Sequence, residues 1–252
     1  MSRVIAVANQ KGGVGKTTTA VNGAAAIAEA GKSTLLIDLD PQGNASQGVG
    51  VDKNACTKTV YDALVNGAAL DEILMPTRYE NLSMAPSHRD LSGAEVELVE
   101  EFRREYRMRE ALEPIRNRYD FIVIDCPPSL GLLTLNGLVA ADEVIIPLQC
   151  EYYALEGLSE LLHTIIRVRE HFNARLHVSG VLLTMYQHTN LARQVVEDVR
   201  GHLGGKVFDT VIPRNVTLSE APGFGLPVMY YDKRSVGARA YAALAEEVLS
   251  RG

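Results

Sequence analysis

Tryptophan is absent from the sequence, aromatic residues make up only 6% of it, and there are three cysteines in 252 residues. The cysteines, Cys56, Cys126 and Cys150, are odd in number and far apart, which argues against a disulfide framework and fits a reducing compartment. Their spacing also matches no metal site. We expect each cysteine to serve as a small buried hydrophobic side chain.

Long apolar runs are missing too. No run approaches the roughly 20 residues needed to cross a bilayer, so we expect neither a transmembrane helix nor a membrane partner. The chain enters an apolar segment at Val4 without the leader of a signal peptide, which predicts a cytoplasmic protein. A hydrophobic content of 46% and a charged content of 22% are typical of globular proteins. The length suits a single domain over residues 1–252.

Excess positive charge is also absent, since the net charge is −6. This excludes a surface that is uniformly adapted to nucleic acid. The charge is uneven, however: residues 151–252 hold 11 Lys and Arg against 11 Asp and Glu, whereas residues 1–150 hold 14 against 20. The second part of the chain therefore leaves room for a local basic patch.

The strongest pattern present is residues 4–19, VIAVANQKGGVGKTTT, in which a short apolar strand leads through a glycine-rich turn into a helix. Glycines in such a turn adopt positive φ and bring backbone N–H groups around an anion at the positive end of the helix. Lys16 is expected at the β- and γ-phosphates, and the Thr17 hydroxyl is expected to bind Mg²⁺. The predicted nucleotide-binding residues of the turn are Lys11, Gly12, Gly13, Val14, Gly15, Lys16, Thr17 and Thr18.

The turn departs from the usual phosphate-loop spacing in one way. Gln10 stands where the first glycine is expected, and Lys11 adds a second lysine to give KGGVGKT. This form resembles the deviant Walker-A ATPases of the ParA/MinD superfamily. The resemblance implies ATP and Mg²⁺ as cofactors, and catalytic roles for Lys16 and for Lys11, which would reach across a nucleotide-sandwich homodimer to the partner's ATP. A solvated surface lysine is the alternative interpretation of Lys11.

A second pattern follows the apolar segment 33–38, which ends in Asp38-Leu39-Asp40-Pro41-Gln42-Gly43. Two carboxylates two residues apart in an extended segment point the same way, toward the carboxyl edge of a parallel sheet. Two solvated aspartates at a strand end are the alternative. The segment resembles the family's switch I, which implies that Asp40 orients the attacking water and that Asp38 supports the magnesium shell.

A third pattern is the apolar segment 119–125, which ends in Asp125 and continues as CPPSLG. An acid at this position is expected to hold Mg²⁺ through water, and the two prolines stiffen the following loop. Many parallel strands end in an acid, so the position alone is weak. The sequence DCPPSLG nevertheless resembles the family's switch II.

The remaining elements alternate between strand and helix, which predicts an α/β fold with a doubly wound, mostly parallel sheet and helices on both faces. In the charged run 103–110, RREYRMRE, both signs recur at helical spacing, so we expect a solvated helix face there. The predicted strands are 4–7, 33–38, 81–85, 119–125, 143–148, 176–184 and 207–212. The predicted helices are 17–30, 60–65, 70–74, 154–171, 189–203 and 236–249, the last capped by Ser235.

Two further segments resemble the family. An amide that follows a rigid proline, as in Pro213-Arg214-Asn215, matches the donor and acceptor of adenine's edge, and the resemblance implies that Pro213 and Asn215 contact the base. A plain strand-to-loop turn is the alternative. Residues 149–158, QCEYYALEGL, resemble the dimer face of the chromosomal partition members.

The resemblance spans nearly the whole chain and is nearest to the small ParA/Soj type. It implies slow, partner-stimulated ATP hydrolysis, a ParB-like centromere-binding partner, nonspecific DNA binding by the ATP dimer and a place on the nucleoid. The type commonly carries arginines in the loop at 186–190 and at the position of Thr217, and both are missing here. Phosphate contacts would then come from other cations. The candidates are Arg193, Arg200, Lys206, Arg214, Lys233, Arg234 and Arg239.

Three other functions fit the same fold. One alternative is a spatial organiser of a protein cargo, which the sequence does not exclude. Membrane docking, in contrast, requires a basic amphipathic C-terminal helix, and residues 245–252, AEEVLSRG, are short and acidic. An electron-transfer ATPase needs cysteines for an iron–sulfur cluster, and no suitable second cysteine accompanies Cys126. A bacterial tyrosine kinase needs a tyrosine-rich tail, which is absent.

Overall fold

The computed structural model describes residues 2–151 and 154–251. Within these residues, eight strands join one sheet. In chain order the strands are β1 (Arg3–Val7), β2 (Thr34–Asp38), β3 (Met75–Pro76), β4 (Leu82–Ala85), β5 (Phe121–Asp125), β6 (Glu143–Gln149), β7 (His177–Tyr186) and β8 (Val207–Pro213).

The strand order is β3-β4-β2-β5-β1-β6-β7-β8, and every pairing is parallel except that of β3 with β4. The chain thus winds outward in both directions from β1, which confirms the predicted doubly wound sheet. The register aligns Val7 with Asp125, and Asp125 in turn with Asp38. The ends of β1, β5 and β2 therefore lie side by side at the carboxyl edge.

Helices cover both faces of the sheet. One face packs Ile5 and Val7 against the apolar sides of the first and last helices, and the other packs Val4 and Ala6 against helices from the middle of the chain. The helices are α1 (Lys16–Glu29), α2 (Asn44–Gly48), α3 (Val60–Leu64), α4 (Leu91–Glu97), α5 (Arg107–Leu112), α6 (Leu132–Ala140), α7 (Ala154–His171), α8 (Asn190–Leu203), α9 (Val216–Glu220), α10 (Val228–Tyr231) and α11 (Val236–Ser250).

Most predicted elements are present, with ends that differ by one or two residues. The hydroxyl of Ser235 accepts a hydrogen bond from the backbone N–H of Ala238 and caps α11, as predicted, and Thr189 caps α8 in the same way. The helix predicted at 70–74 was wrong, because only a 3-10 turn forms at Leu70–Glu72. Helices α2, α4, α6, α9 and α10 were not predicted from the sequence.

The charged run at 103–110 is only partly a solvated helix. Its first residues form a 3-10 turn after Arg103, whose φ of 58° interrupts the helical path, and α5 begins at Arg107. Exposed ion pairs join Arg103 to Glu110 and Arg107 to Glu101. Met108 is fully buried, so one side of the segment belongs to the core.

The cysteine prediction is correct for Cys126 and Cys150, which are buried. It was wrong for Cys56, which is only half-buried and lies 3.4 Å from the Met75 sulfur. Among residues 2–151 and 154–251, no helix combines the length and the hydropathy that a membrane span requires.

Candidate nucleotide-binding site

The glycine-rich turn joins β1 to α1 at the carboxyl edge of the sheet. Gly13 and Gly15 have φ values of 74° and 88°, in the left-handed region that favours glycine. Around Gly12 and Gly13 a side chain would meet no atom within 4 Å, so the turn borders open space. Helix α1 follows with no side-chain cap and no acidic residue in its first turn. The first backbone N–H groups of α1 are thus available to bind an anion.

Lys16 lies inside this turn. Its side chain is buried, and its ammonium group donates a hydrogen bond of 3.0 Å to the backbone carbonyl of Lys11. Burial lowers the pKa of Lys16, and the negative charges of Asp125 and Asp40 oppose that shift. A partly desolvated cation at the N-terminus of a helix suits a phosphate ligand.

Asp38 is fully buried at the end of β2 and is fully engaged in hydrogen bonds. Its carboxylate accepts bonds of 2.8 Å from the backbone N–H and the hydroxyl of Ser46, and one of 3.2 Å from the N–H of Asp40. Burial raises the pKa of Asp38 to about 6. Asp38 therefore fixes α2, which carries Ser46, to the edge of the sheet.

Asp125, the neighbour of Asp38 on β5, has the opposite surroundings. Both its carboxylate oxygens are buried, and neither accepts a well-formed hydrogen bond from the described residues. Burial and then the charge of Asp38 raise the pKa of Asp125 well above its ordinary value. Thr17 and Lys16 counteract that rise, which places the Thr17 hydroxyl beside this carboxylate. A buried carboxylate that accepts no well-formed hydrogen bond and lies next to a hydroxyl suits a hard divalent cation.

Asp40 follows β2 and folds back into a turn. One of its carboxylate oxygens accepts a 2.9 Å hydrogen bond from the N–H of Gln42, and its backbone carbonyl accepts one from Gly43. Gly43 has a φ of 65° and leads into α2. The segment after β2 is thus a turn and a short helix, with Asp40 at its start and close enough to Lys16 to influence that lysine's pKa.

A cavity of about 310 Å³ opens beside the turn and reaches the ends of β7 and β8. The predicted Pro213 and Asn215 line it, and the side-chain amide oxygen of Asn215 is buried without a hydrogen-bond partner among the described residues. The sequence did not single out Thr184, whose hydroxyl donates a 2.8 Å bond to the Val14 carbonyl and ties β7 to the turn. Met185, with a φ of 53°, also lines the cavity. The only sequence signal for this residue is its position at the end of an apolar strand.

Lys11 lies outside this cavity, on the surface of the turn. Its ammonium group is 3.1 Å from a carboxylate oxygen of Glu151, and the lysine side chain is 41% exposed. The Asn9 side-chain oxygen accepts the Lys11 backbone N–H at 3.0 Å. Glu151 belongs to the segment 149–158 predicted for a dimer face, of which residues 152 and 153 lie outside the described part of the chain.

The seven cations predicted for DNA are all exposed, and they do not lie on one element. Arg193 and Arg200 belong to α8 and Arg239 to α11, helices that pack on opposite faces but both contact β8 at the sheet edge. Lys206 directly precedes β8 and Arg214 directly follows it. Lys233 is paired with Glu29 at 3.3 Å. Arg234 lies next to it, before α11.

Comparison with known proteins identifies a matching family model and full-length relatives. A family model described as an AAA domain matches residues 2–178. The chromosome partitioning protein ParA of Myxococcus xanthus is 54% identical over 252 residues, covering 100% of this chain and 89% of the relative. The sporulation initiation inhibitor protein Soj of Bacillus subtilis is 54% identical over 253 residues, covering 100% of both chains.

The fold is matched as well. The crystal structure of a cobyrinic acid a,c-diamide synthase from Mycobacterium smegmatis, with bound ADP and magnesium, superposes with a TM-score of 0.87 at 39% identity. The match covers 99% of this chain and 94% of that one. With the sheet order, the lysine-rich turn and the full-length identities in agreement, this chain belongs to the ParA/Soj family of chromosome-partitioning P-loop ATPases.

Proposed function

We propose that this protein is an ATPase that partitions DNA, with Mg·ATP binding that joins two copies and hydrolysis that separates them. The observation that carries the proposal is the carboxyl edge of β1, β2 and β5. There an uncapped helix N-terminus, a buried lysine and a carboxylate without a well-formed hydrogen bond from the described residues converge. An anion together with a divalent cation would satisfy all three groups.

The site residues divide among the parts of Mg·ATP by their chemistry. Backbone N–H groups of residues 12–18 and the Lys16 ammonium would hold the phosphates, and Thr17 with Asp125 would hold the metal. Asp38 would act through its bonds to Ser46 and Asp40. Pro213 and Asn215 would hold the base in the adjoining cavity. Bound ADP and magnesium in the synthase from M. smegmatis support this division.

Phosphoryl transfer needs charge compensation and a positioned water more than covalent help from the protein. Asp40, at the start of a turn beside Lys16, would orient that water. Lys11 would compensate charge on the partner's nucleotide, because its exposed side chain points away from its own turn toward Glu151. Two nucleotides would thereby join two chains, so that ATP shifts a monomer–dimer equilibrium and hydrolysis reverses it.

The same proposal includes location and partners. A single domain over residues 1–252 would work in the cytoplasm, bound to the nucleoid, with slow turnover that a ParB-like protein stimulates. Five of the candidate cations lie on or next to β8 or the helices that contact it. In a dimer, two such edges would bind DNA phosphates without reading sequence.

Three variants test the nucleotide part of the proposal. Lys16→Ala removes the buried cation and should abolish ATP binding. Lys11→Ala should bind ATP but remain a monomer, whereas Asp40→Ala should accumulate as an ATP-bound dimer because hydrolysis no longer reverses association. Gel filtration with and without Mg·ATP distinguishes the three. An Asp40→Ala protein that stays monomeric contradicts the role of Asp40.

A second candidate is an organiser of protein cargo with little DNA binding. It is favoured by the net charge of −6, by the lack of arginine in the loop at 186–190, and by Thr217 at the second position where the resemblance implies arginine. Titration of the ATP-bound protein onto random-sequence duplex DNA separates the two functions. Absence of binding at low salt would favour the organiser.

A further inference from the structure

Lys11 has a partner within its own chain, and that partner is held in place. One oxygen of Glu151 contacts the Lys11 ammonium at 3.1 Å, while the other accepts a 2.6 Å hydrogen bond from the Gln149 side chain. The backbone N–H of Glu151 also donates to the Gln149 carbonyl at 2.8 Å. Glu151 is therefore oriented by the end of β6 before it meets the lysine.

The base of Lys11 is attached to the same strand. Asn9 accepts the Lys11 N–H through its side-chain oxygen and donates from its side-chain nitrogen to the Pro147 carbonyl at 2.8 Å. Both ends of the lysine are thus tied to β6 and the residues after it. The Lys11 side chain lies along this surface, away from the interior of its own phosphate-binding turn. In that interior the Lys16 ammonium donates a hydrogen bond to the Lys11 carbonyl.

A phosphate on a second chain would compete with this carboxylate for the Lys11 ammonium. We propose that Glu151 is a positioning residue for Lys11, holding it outward in the monomer and releasing it only when a partner's triphosphate replaces the carboxylate. This inference rests on the proposed function. The pair is exposed on both sides, at 41% and 52%, so it restrains the lysine weakly and reversibly.

The chain provides a matched control. The neighbouring Gln10 donates a 2.6 Å hydrogen bond from its side chain to Glu160 on α7, so Glu160 contacts the same turn with the same charge and without touching Lys11. Glu151→Gln and Glu160→Gln each remove one exposed negative charge from this surface. Only the first removes the partner of Lys11.

Dimerisation with Mg²⁺ and a non-hydrolysable ATP analogue, measured by sedimentation velocity, is the first readout. We expect Glu151→Gln to lower the dimer Kd by about threefold to tenfold, because each of two chains no longer has to release an exposed ion pair. Glu160→Gln should stay within about twofold of the natural protein, and Glu151→Asp should lie between. In the Lys11→Ala background, Glu151→Gln should bring no gain. Equal gains in both glutamine variants, or weaker dimerisation of Glu151→Gln, would overturn the proposal.

A second readout does not depend on dimerisation. In the nucleotide-free protein, acylation of the Lys11 amine, followed by peptide mass spectrometry, should be about twofold or more faster in Glu151→Gln than in the natural protein and unchanged in Glu160→Gln. If the natural protein fails to dimerise with the analogue, the proposed function fails. The acylation rates still decide whether Glu151 restrains Lys11, and equal rates in all three proteins would contradict it.

Discussion

Asp125 is poorly placed for folding and well placed for binding. Its two buried oxygens accept no well-formed hydrogen bond from the described residues, and it lies beside Asp38, a second buried carboxylate. Unpaired buried charge costs stability, and such costs persist where function requires them. A nearby divalent cation would remove the cost, so metal binding and stability should be coupled at this residue.

We expect Asp125→Asn to stabilise the metal-free protein while abolishing its response to Mg·nucleotide. The amide keeps the shape of the side chain but removes the uncompensated charge, which should raise the free energy of unfolding at pH 8 by about 1–3 kcal/mol. Urea unfolding with and without Mg·ADP measures both effects, and Glu100→Gln serves as an exposed control. A variant that is less stable than the natural protein in the absence of metal would refute this view of Asp125.

The same pair predicts a pH dependence. Folding raises the pKa of Asp38 to about 6 and raises that of Asp125 well above its ordinary value, so the folded chain binds these protons more tightly than the unfolded chain. The carboxyl groups of Asp38 and Asp125 stabilise the folded state at pH values below their ordinary pKa. This stabilisation is lost as the pH rises through their pKa in the folded state. Without metal, the stability gain of Asp125→Asn over the natural protein should therefore grow as the pH rises from about 5 to about 7. A stability gain of Asp125→Asn that is constant or that shrinks over this pH range would exclude a raised pKa of Asp125.

The sequence predicts site residues that belong to a recognisable local motif, but it does not predict the side chains that contact them in the fold. Lys16, Asp38 and Asp125 follow strands in short motifs, and each lies at the carboxyl edge. Ser46 could not be predicted as the partner of Asp38, because a serine in a five-residue helix has no pattern of its own. Thr184 bonds to Val14 from 170 residues away, a distance that only the folded chain closes.

Among the secondary-structure elements, α6 shows why a helix can be missed when it is predicted from hydrophobic periodicity. Most of Leu132–Ala140 is buried, and its buried residues occupy nearly the whole circumference, so no polar stripe marks a solvent face. Gly137 brings α6 close to the strands that carry the site. A Cβ there would lie 2.8 Å from the Cys126 sulfur and 3.3 Å from the Leu39 side chain.

We expect Gly137→Ala to destabilise the protein by about 1–3 kcal/mol, because Cys126 and Leu39 are buried and cannot yield easily. Since Leu39 lies between Asp38 and Asp40, the displacement should also weaken Mg·ATP binding. Gly201→Ala in α8 is the matched control: no atom lies within 4 Å of its added methyl, and it should be stabilising by about 0.5–1 kcal/mol. Thermal unfolding and nucleotide titration test both; a neutral Gly137→Ala would contradict the close packing of α6.

At the scale of the whole molecule, the sequence predicts the class of fold but not its order. Alternating strand and helix patterns indicate a parallel, doubly wound sheet, and the sheet observed is of that class. That β5 lies between β2 and β1 depends on contacts between segments more than 80 residues apart, which no local pattern encodes. This placement is what makes Asp38 and Asp125 neighbours.

The proposed DNA-binding surface surrounds β8. We expect the ATP-bound protein to bind duplex DNA without sequence preference, with an affinity that falls steeply as salt increases. Arg193→Ala, Arg214→Ala or Arg239→Ala should each weaken binding to all sequences alike and reduce the salt slope by about 1. Fluorescence anisotropy at several salt concentrations checks this, with Arg103→Ala as a control cation far from β8 in the chain. Unchanged salt slopes in all three variants would remove the DNA surface from this edge.

The central claim is that each active site is completed by Lys11 of a second chain, and mixing two inactive variants tests it most directly. A Lys11→Ala chain paired with an Asp40→Ala chain contains one complete site, formed by Asp40 of the first and Lys11 of the second. We expect the mixture to regain ATPase activity that neither variant shows alone, because only the mixed dimer contains a complete site. A mixture no more active than its two separate components, under conditions where mixed dimers are detected, would show that Lys11 acts within its own chain and would contradict the account.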